Sequence, residues 1–264
     1  MSKKCILILL DGLGDRSYEE LMHQTPLQAA QTPVLDNLAA MGASGLYHAA
    51  EMGQALPSEN AHFNMFGYDS ASFPGRGALE ALGAGIDIEL NDVAILAHFA
   101  SVREQDGYLV LEKSKPEASD KEAEALIRAA GEYNKDGISI RFTQTKGLSG
   151  IITLYGNVAP FVTDTDPMME GRPLAEIRPW ECHSREAAVR NTSRALKGYL
   201  IRTYDRLKTH PVNLYRKKQG LPLLNALVTQ RAGQLKEITP FSENYGLSGL
   251  SIASGIVYWG ICAY

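Results

Sequence analysis

Apolar and polar positions along the chain fall into two textures that change near residue 87. Residues 5–10 are a run of six apolar side chains, a pattern that predicts a strand buried on both faces, as in parallel sheets. The run leads straight into Asp11-Gly12, with glycine suited to a tight turn. Thr25-Pro26 and Thr32-Pro33 each set a capping hydroxyl before a proline fitted to the first helical position. The second pair predicts a helix carrying Leu35, Leu38, Ala39 and Met41 and stopped by Gly42. A second strand is expected over 43–48, then a polar loop over 53–60 that opens a helix at 61–66. Strands alternating with helices predict an α/β layered fold with a mostly parallel sheet.

Beyond residue 87 the pattern shortens into hairpins. Strands are predicted over 92–102 and 108–111, flanking the turn Gln105-Asp106-Gly107. A charged amphipathic helix is expected over 119–131, and a strand pair over 138–142 and 150–155. A long helix is expected over 184–208, with Ala188, Thr192, Leu196, Leu200, Tyr204 and Leu207 spaced for one buried face. This texture predicts an α+β domain, 87–239, inserted into an α/β core made of 1–86 and 240–264. The core pattern resumes near Gly249 and runs apolar to Tyr264.

Composition narrows the classes. The chain has 264 residues, 45% hydrophobic and 21% charged, which fits a soluble globular protein of one or two domains. A net charge of −4 argues against general nucleic-acid binding. No segment approaches the roughly 18 uninterrupted apolar residues that span a membrane. Lys3-Lys4 before the apolar run superficially resembles a signal peptide, but the run is short and ends in Asp11. Cys5, Cys182 and Cys262 are too scattered for a disulfide framework or a zinc site, so a reducing cytoplasm is expected.

Some residues can carry chemistry. Asp11, at the carboxyl end of the first strand, stands where open α/β sheets hold ligands. It reads as a hard-metal ligand or as an ordinary polar turn. Ser58 stands at the start of a helix, where free N–H groups and the helix dipole favour an anion, and reads as a nucleophile, an N-cap or both. A divalent ion shared by Asp11 and Ser58 would activate the hydroxyl. His62 follows Ser58 by one helical turn. Arg76, between Gly75 and Gly77, is suited to a phosphate or carboxylate, or to an exposed turn. Residues 184–218 hold ten Lys or Arg, mostly expected on a solvated helix face. Pro211 then sets His210, Asn213 and Arg216 in a short loop suited to an anionic substrate, and Asp164 and Asp166 offer two carboxylates in a turn.

In order along the chain stand Asp11-Gly12-Leu13-Gly14-Asp15, Thr25-Pro26-Leu27-x-x-Ala30, Thr32-Pro33-x-Leu35-Asp36-x-Leu38 and Ser58-x-x-Ala61-His62. Phe66-Gly67-Tyr68-Asp69 and the segment from Gly75-Arg76-Gly77 to Gly83-Ala84-Gly85 follow, then Asp164-x-Asp166-Pro167 and His210-Pro211-x-Asn213-x-x-Arg216. Together they resemble the archaeal-type cofactor-independent phosphoglycerate mutases of the alkaline phosphatase superfamily. The resemblance implies an alkaline-phosphatase-like core, incomplete at the carboxyl end, and a serine at Ser58 that carries phosphate between the hydroxyls of 3- and 2-phosphoglycerate. It also implies two divalent ions (manganese, zinc or magnesium) with Asp11 and Ser58 among their ligands, and substrate contacts from Arg76, Asp166, His210, Asn213 and Arg216.

Family members extend beyond the matched stretch, and their Asp-x-x-x-His and Gly-Asp-His ligand segments have no counterpart here. Gly147-Leu148-Ser149 stands where Gly-His-Arg is usual, Met168 where a histidine is usual, and Lys113 and Lys115 in a stretch usually richer in arginine. Three readings follow: a mutase-like metalloenzyme of glycolysis, a phosphohydrolase or phosphotransferase on another small phosphorylated metabolite, and an inactive module. The expected partner is that small metabolite, with neither nucleic acid nor membrane; a homo-oligomer is left open.

Overall fold

The computed structural model describes residues 4–264. The chain divides into two compact units, Met1–Met65 and Phe66–Tyr264.

The first unit is helical where the Thr-Pro pairs predicted it. Helix α1 (Pro26–Ala29) starts at a reciprocal cap: Gln28 N–H donates to Thr25 Oγ1 at 3.2 Å, and Thr25 N–H donates to Gln28 Oε1 at 2.9 Å. Helix α2 (Pro33–Met41) has proline in its first turn, but the Thr32 hydroxyl does not cap it and instead donates to Asp36 Oδ1 at 3.0 Å; the helix ends where Gly42 N–H donates to the Leu38 carbonyl. Helix α3 (Ser58–Met65) begins at Ser58, earlier than the expected residue 61.

The strands expected over 5–10 and 43–48 are not formed. Ile6, Ile8 and Leu10 are 84%, 72% and 53% exposed. A parallel strand is stable only with neighbours along its edges and cover on its faces, and these arrive through long crossovers. Among the described residues nothing supplies them.

The second unit holds every described strand. Helix α4 (Arg76–Gly83) leads to β1 (Val93–Gln105) and β2 (Tyr108–Lys113), then α5 (Asp120–Ala130), β3 (Tyr133–Lys135), β4 (Ile138–Lys146) and β5 (Ser149–Tyr155). Helices α6 (Ala187–Leu207) and α7 (Pro211–Lys218) precede β6 (Ala226–Gln234), α8 (Phe241–Tyr245) and α9 (Ile256–Ala263). Sheet order is β2-β1-β5-β4-β3, with β6 also paired to β1, and all pairs are antiparallel. The mixed α/β class holds, and this antiparallel sheet lies in the stretch expected to form an α+β insert.

Two turns set its hairpins. Asp106-Gly107 and Asp136-Gly137 all take positive φ, the requirement of the tight turns whose twist matches that of antiparallel strands. Strand β1 is buried nearly throughout its first ten positions, as befits a central strand, whereas β4 alternates with Ile138, Ile140 and Phe142 inward. Helices α5 and α6 cover this inner face, so Leu126, Leu196 and Tyr199 join Phe99, Ile140 and Leu154 in one core. On α6, Thr192, Leu196 and Leu207 are buried as expected, together with Val189, Ala195, Tyr199 and Thr203.

Residues 66–86 and 240–264, assigned from sequence to the amino-terminal core, fall in the unit that holds the sheet. Glycine explains the association. A Cβ on Gly77 would strike the Ala94 carbonyl of β1, and one on Gly260 would strike the Leu79 carbonyl, so α4 touches both β1 and α9 backbone to backbone. Among the described residues, no helix is long and apolar enough to cross a membrane.

Candidate functional site

In the first unit, Asp11 lies exposed in the expected turn, where Gly12 takes φ +73°. Ser58 is half-buried at the first residue of α3, and Glu59 and His62 of that helix are 5% and 9% exposed. A four-residue separation places His62 and Ser58 on the same face of α3. Orphan N–H groups and the positive end of the helix dipole surround Ser58, an environment that favours a phosphoryl group. The donor set for two divalent ions is not complete. Among the described residues no three His, Cys, Asp or Glu side chains converge, and one carboxylate and one hydroxyl fall short of a coordination sphere.

In the second unit the polar cluster lies where β1 and β6 meet the segment 164–168. Asp166, 8% exposed, accepts from Met168 N–H at 2.8 Å and from Gln230 Nε2 at 2.5 Å. Its Oδ2 lies 3.8 Å from His98 Nε2, which also meets Ser114 Oγ at 3.3 Å. His98 is 8% exposed, and burial lowers its pKa, an effect that the Asp166 charge opposes and Lys115 reinforces. The imidazole therefore favours its neutral form. Strand register sets Ser149 opposite His98. A cavity of about 400 Å³ opens there, bordered by His98, Lys115, Glu117, Asp120, Leu148 and Ser149. Sequence reasoning gave His98 no role; its signal was a titratable residue inside an otherwise apolar strand. Leu148, Ser149 and Lys115, all departures from the family pattern, border this one cavity. A second cavity of about 430 Å³, by Leu82, Asp87, Glu89, Asp92 and Tyr155, has no cationic residue on its wall, so it is unsuited to a phosphorylated ligand.

The remaining expected contacts have structural employment. Arg76 Nε pairs with Glu80 Oε1 at 2.6 Å on α4. His210 caps α7, its Nδ1 accepting from Val212 N–H at 3.3 Å. Asn213, 1% exposed, donates to the Leu207 and Leu224 carbonyls and accepts from Leu224 N–H, tying α6, α7 and the approach to β6. Arg216, 4% exposed, donates to Pro222 O, Glu117 O and Glu122 Oε1. With the Ser119 backbone N–H, which contributes most, Arg216 holds the Glu122 carboxyl below its ordinary pKa. Asn213 and Arg216 thus brace the helix pair. Basic residues of α6 are not merely solvated either, since Arg202 and Arg206 donate to the Glu132 and Ala129 carbonyls around the end of α5.

Comparison with known proteins follows this geometry. The sequence model of the 2,3-bisphosphoglycerate-independent phosphoglycerate mutases matches residues 39–213. A protein of that description from Methanopyrus kandleri is 36% identical over 99% of this chain and 62% of its own length. One from Methanocaldococcus jannaschii is 37% identical over 94% of this chain and 59% of its own. The chain therefore spans about three-fifths of these relatives. The cofactor-independent phosphoglycerate mutase of Thermoplasma acidophilum superposes with a TM-score of 0.62 at 31% identity, over 96% of this chain and 65% of its own. A Pyrococcus horikoshii protein of known structure gives 0.70 at 26% identity, over 96% and 57%.

Proposed function

Since the chain belongs to the 2,3-bisphosphoglycerate-independent phosphoglycerate mutase family, we propose that it serves serine-mediated phosphoryl transfer between the two hydroxyls of a phosphoglycerate. Ser58 Oγ attacks the phosphorus of 3-phosphoglycerate, the bond from phosphorus to substrate O3 breaks, and the serine proton passes to the departing O3. The 2-hydroxyl of the retained glycerate then attacks the phosphoserine, the bond to Oγ breaks, and the hydroxyl proton returns to serine. The sum is an isomerisation without consumption of water. The position of Ser58 at the start of α3 carries this reading, because the helix terminus stabilises the transferring charge. The residues present do not complete a divalent-ion site, so no step is assigned to a metal.

The insert is proposed to hold the glycerate while it turns, with Asp166 and His98 among its polar groups. The reducing cytoplasm suits three unbridged, exposed cysteines. One observation favours a second reading, hydrolysis of another small phosphorylated metabolite. The cavity at His98 offers one lysine against Glu117 and Asp120, a weaker match to a dianion than paired arginines.

The test fuses this chain to the part of the Methanopyrus relative that it does not match. The fusion is expected to interconvert 3- and 2-phosphoglycerate and to show phosphate on Ser58 by peptide mass spectrometry. Ser58→Ala is expected to lower turnover at least about 10³-fold. Phosphate release in place of isomerisation would establish the second reading. Absence of both activities and of phosphoserine would overturn the two together.

A further inference from the structure

Charges that the fold does not use border a break in the sheet. Strand β1 pairs with β5 as far as His98 opposite Ser149, and with β2 from Ser101 opposite Lys113. Phe99 and Ala100 fall between the two registers, and the cavity of about 400 Å³ opens beside His98 and Phe99. Neighbouring ionic side chains are engaged: Glu112 meets Ser101, Lys113 meets Glu170, and Glu122 meets Arg216. On the cavity wall, by contrast, Lys115, Glu117 and Asp120 make no side-chain hydrogen bond or ion pair among the described residues.

The wall thus carries two carboxylates against one ammonium, while burial keeps His98 toward its neutral form. Phosphoglycerate brings a phosphate dianion and a carboxylate, which two carboxylates at short range repel. A divalent ion is not suited either, because Lys115 shares the wall and no three ligating side chains converge among the described residues. A ligand that answers both signs carries one ammonium and one anionic group. We propose that this cavity binds an aminoalkyl phosphate, a small phosphate monoester whose carbon chain ends in a primary ammonium. Glu117 and Asp120 take the ammonium, Lys115 and Ser149 take the phosphate, and Leu148 and Pro116 line the carbon chain. The proposal rests on the second reading, a small phosphorylated metabolite other than phosphoglycerate, and names its class. It also gives the departures from the family pattern one use. Leu148 and Ser149 stand in place of a His-Arg pair that disfavours an ammonium, and Lys115 keeps a single point charge for the phosphate.

The experiment titrates the full chain with O-phosphoethanolamine, 2-hydroxyethyl phosphate and 3-phosphoglycerate, followed by calorimetry at neutral pH. The first two esters differ only in ammonium against hydroxyl. O-phosphoethanolamine is expected to bind at least about tenfold more tightly than either of the others. Glu117→Gln and Asp120→Asn should each cut this preference about threefold or more, and the double variant should abolish it. Lys115→Met should weaken both esters alike. Glu124→Gln, whose side chain pairs with Arg128 on α5, should change nothing. Leu148→His combined with Ser149→Arg should turn the preference toward 3-phosphoglycerate.

Equal affinity for the two esters, tighter binding of 3-phosphoglycerate, or binding of none of the three would overturn the inference. So would an ammonium preference that survives in the double variant, because the ligand then lies outside this cavity. Binding is read without turnover. A chain that prefers O-phosphoethanolamine, while the fusion releases no phosphate from it, sustains the inference and overturns the second reading. Phosphate release from esters that lack an amine, with no ammonium preference in binding, does the reverse.

Discussion

Leu154 and Ile8 belong to similar runs of β-branched and aliphatic residues, yet Leu154 is fully buried and Ile8 is 72% exposed. The unit Phe66–Tyr264 builds its sheet largely from hairpins, in which each strand finds a partner a few residues away across a tight turn. The unit Met1–Met65 carries segments patterned for parallel strands, which depend on partners far off in sequence. Local pairing closes small loops; distant pairing must close long ones, and among the described residues 5–10 have no strand partner. Apolarity creates the demand for burial, and topology decides whether it is met.

The largest expected effect sharpens this contrast directly. Phe99 is fully buried and meets Phe142 edge-on with ring centroids 5.5 Å apart, so Phe99→Ala should cost about 3–5 kcal/mol in urea unfolding. Ile8→Ala should stay within about 0.5 kcal/mol, as for an exposed side chain. Comparable losses for the two variants would break the distinction between the units.

A middle-sized effect separates bracing from ligand contact. Asn213→Ala takes the side-chain partner from the Leu224 carbonyl and N–H and one of two donors from the Leu207 carbonyl, which keeps His210 N–H, for an expected loss of about 2–4 kcal/mol. Asp11→Ala in the first unit should change stability by less than about 0.5 kcal/mol. Retention of full stability by Asn213→Ala would remove bracing as the role of that residue.

The smallest effect is a pH dependence. The His98 pKa is lowered from 6.5 by burial. A depressed folded-state pKa means that the unfolded chain takes up the proton first. Stability is therefore full above pH 6.5 and declines as pH falls below it toward the folded-state value. Glu176, held at about 2 by Lys197 and Arg178, acts in the same direction but only below its ordinary 4.5. Melting followed from pH 7 to pH 5 should thus show a decline that His98→Gln flattens. An unchanged slope in the variant would remove His98 as its source.

Much was readable from local chemistry. The capped start of α1, the proline start of α2, the Asp106-Gly107 turn and the reach of α6 follow from caps, fixed dihedrals and spacing, which act over a few residues. Ser58 and Asp11 were legible as residues too, because a helix start and a tight turn announce themselves in sequence. The bracing by Asn213 and Arg216 was not readable, because a loop rich in polar groups looks the same whether it faces substrate or braces a helix pair. His98 passed unnoticed because its neighbours Ser114, Ser149, Asp166 and Gln230 come from separate segments.

The sequence by itself determined most of the helices and hairpins and the family, since each depends on neighbours in the chain or on a string of motifs. Tertiary structure alone decided that β1 pairs with both β5 and β6, that the glycines of α4 and α9 serve close backbone contact, and that His98 meets Asp166. It also decided that residues 5–10 stand uncovered. Burial, register and the pairing of distant polar groups are properties of what surrounds a residue, and the surroundings exist only once the chain has folded.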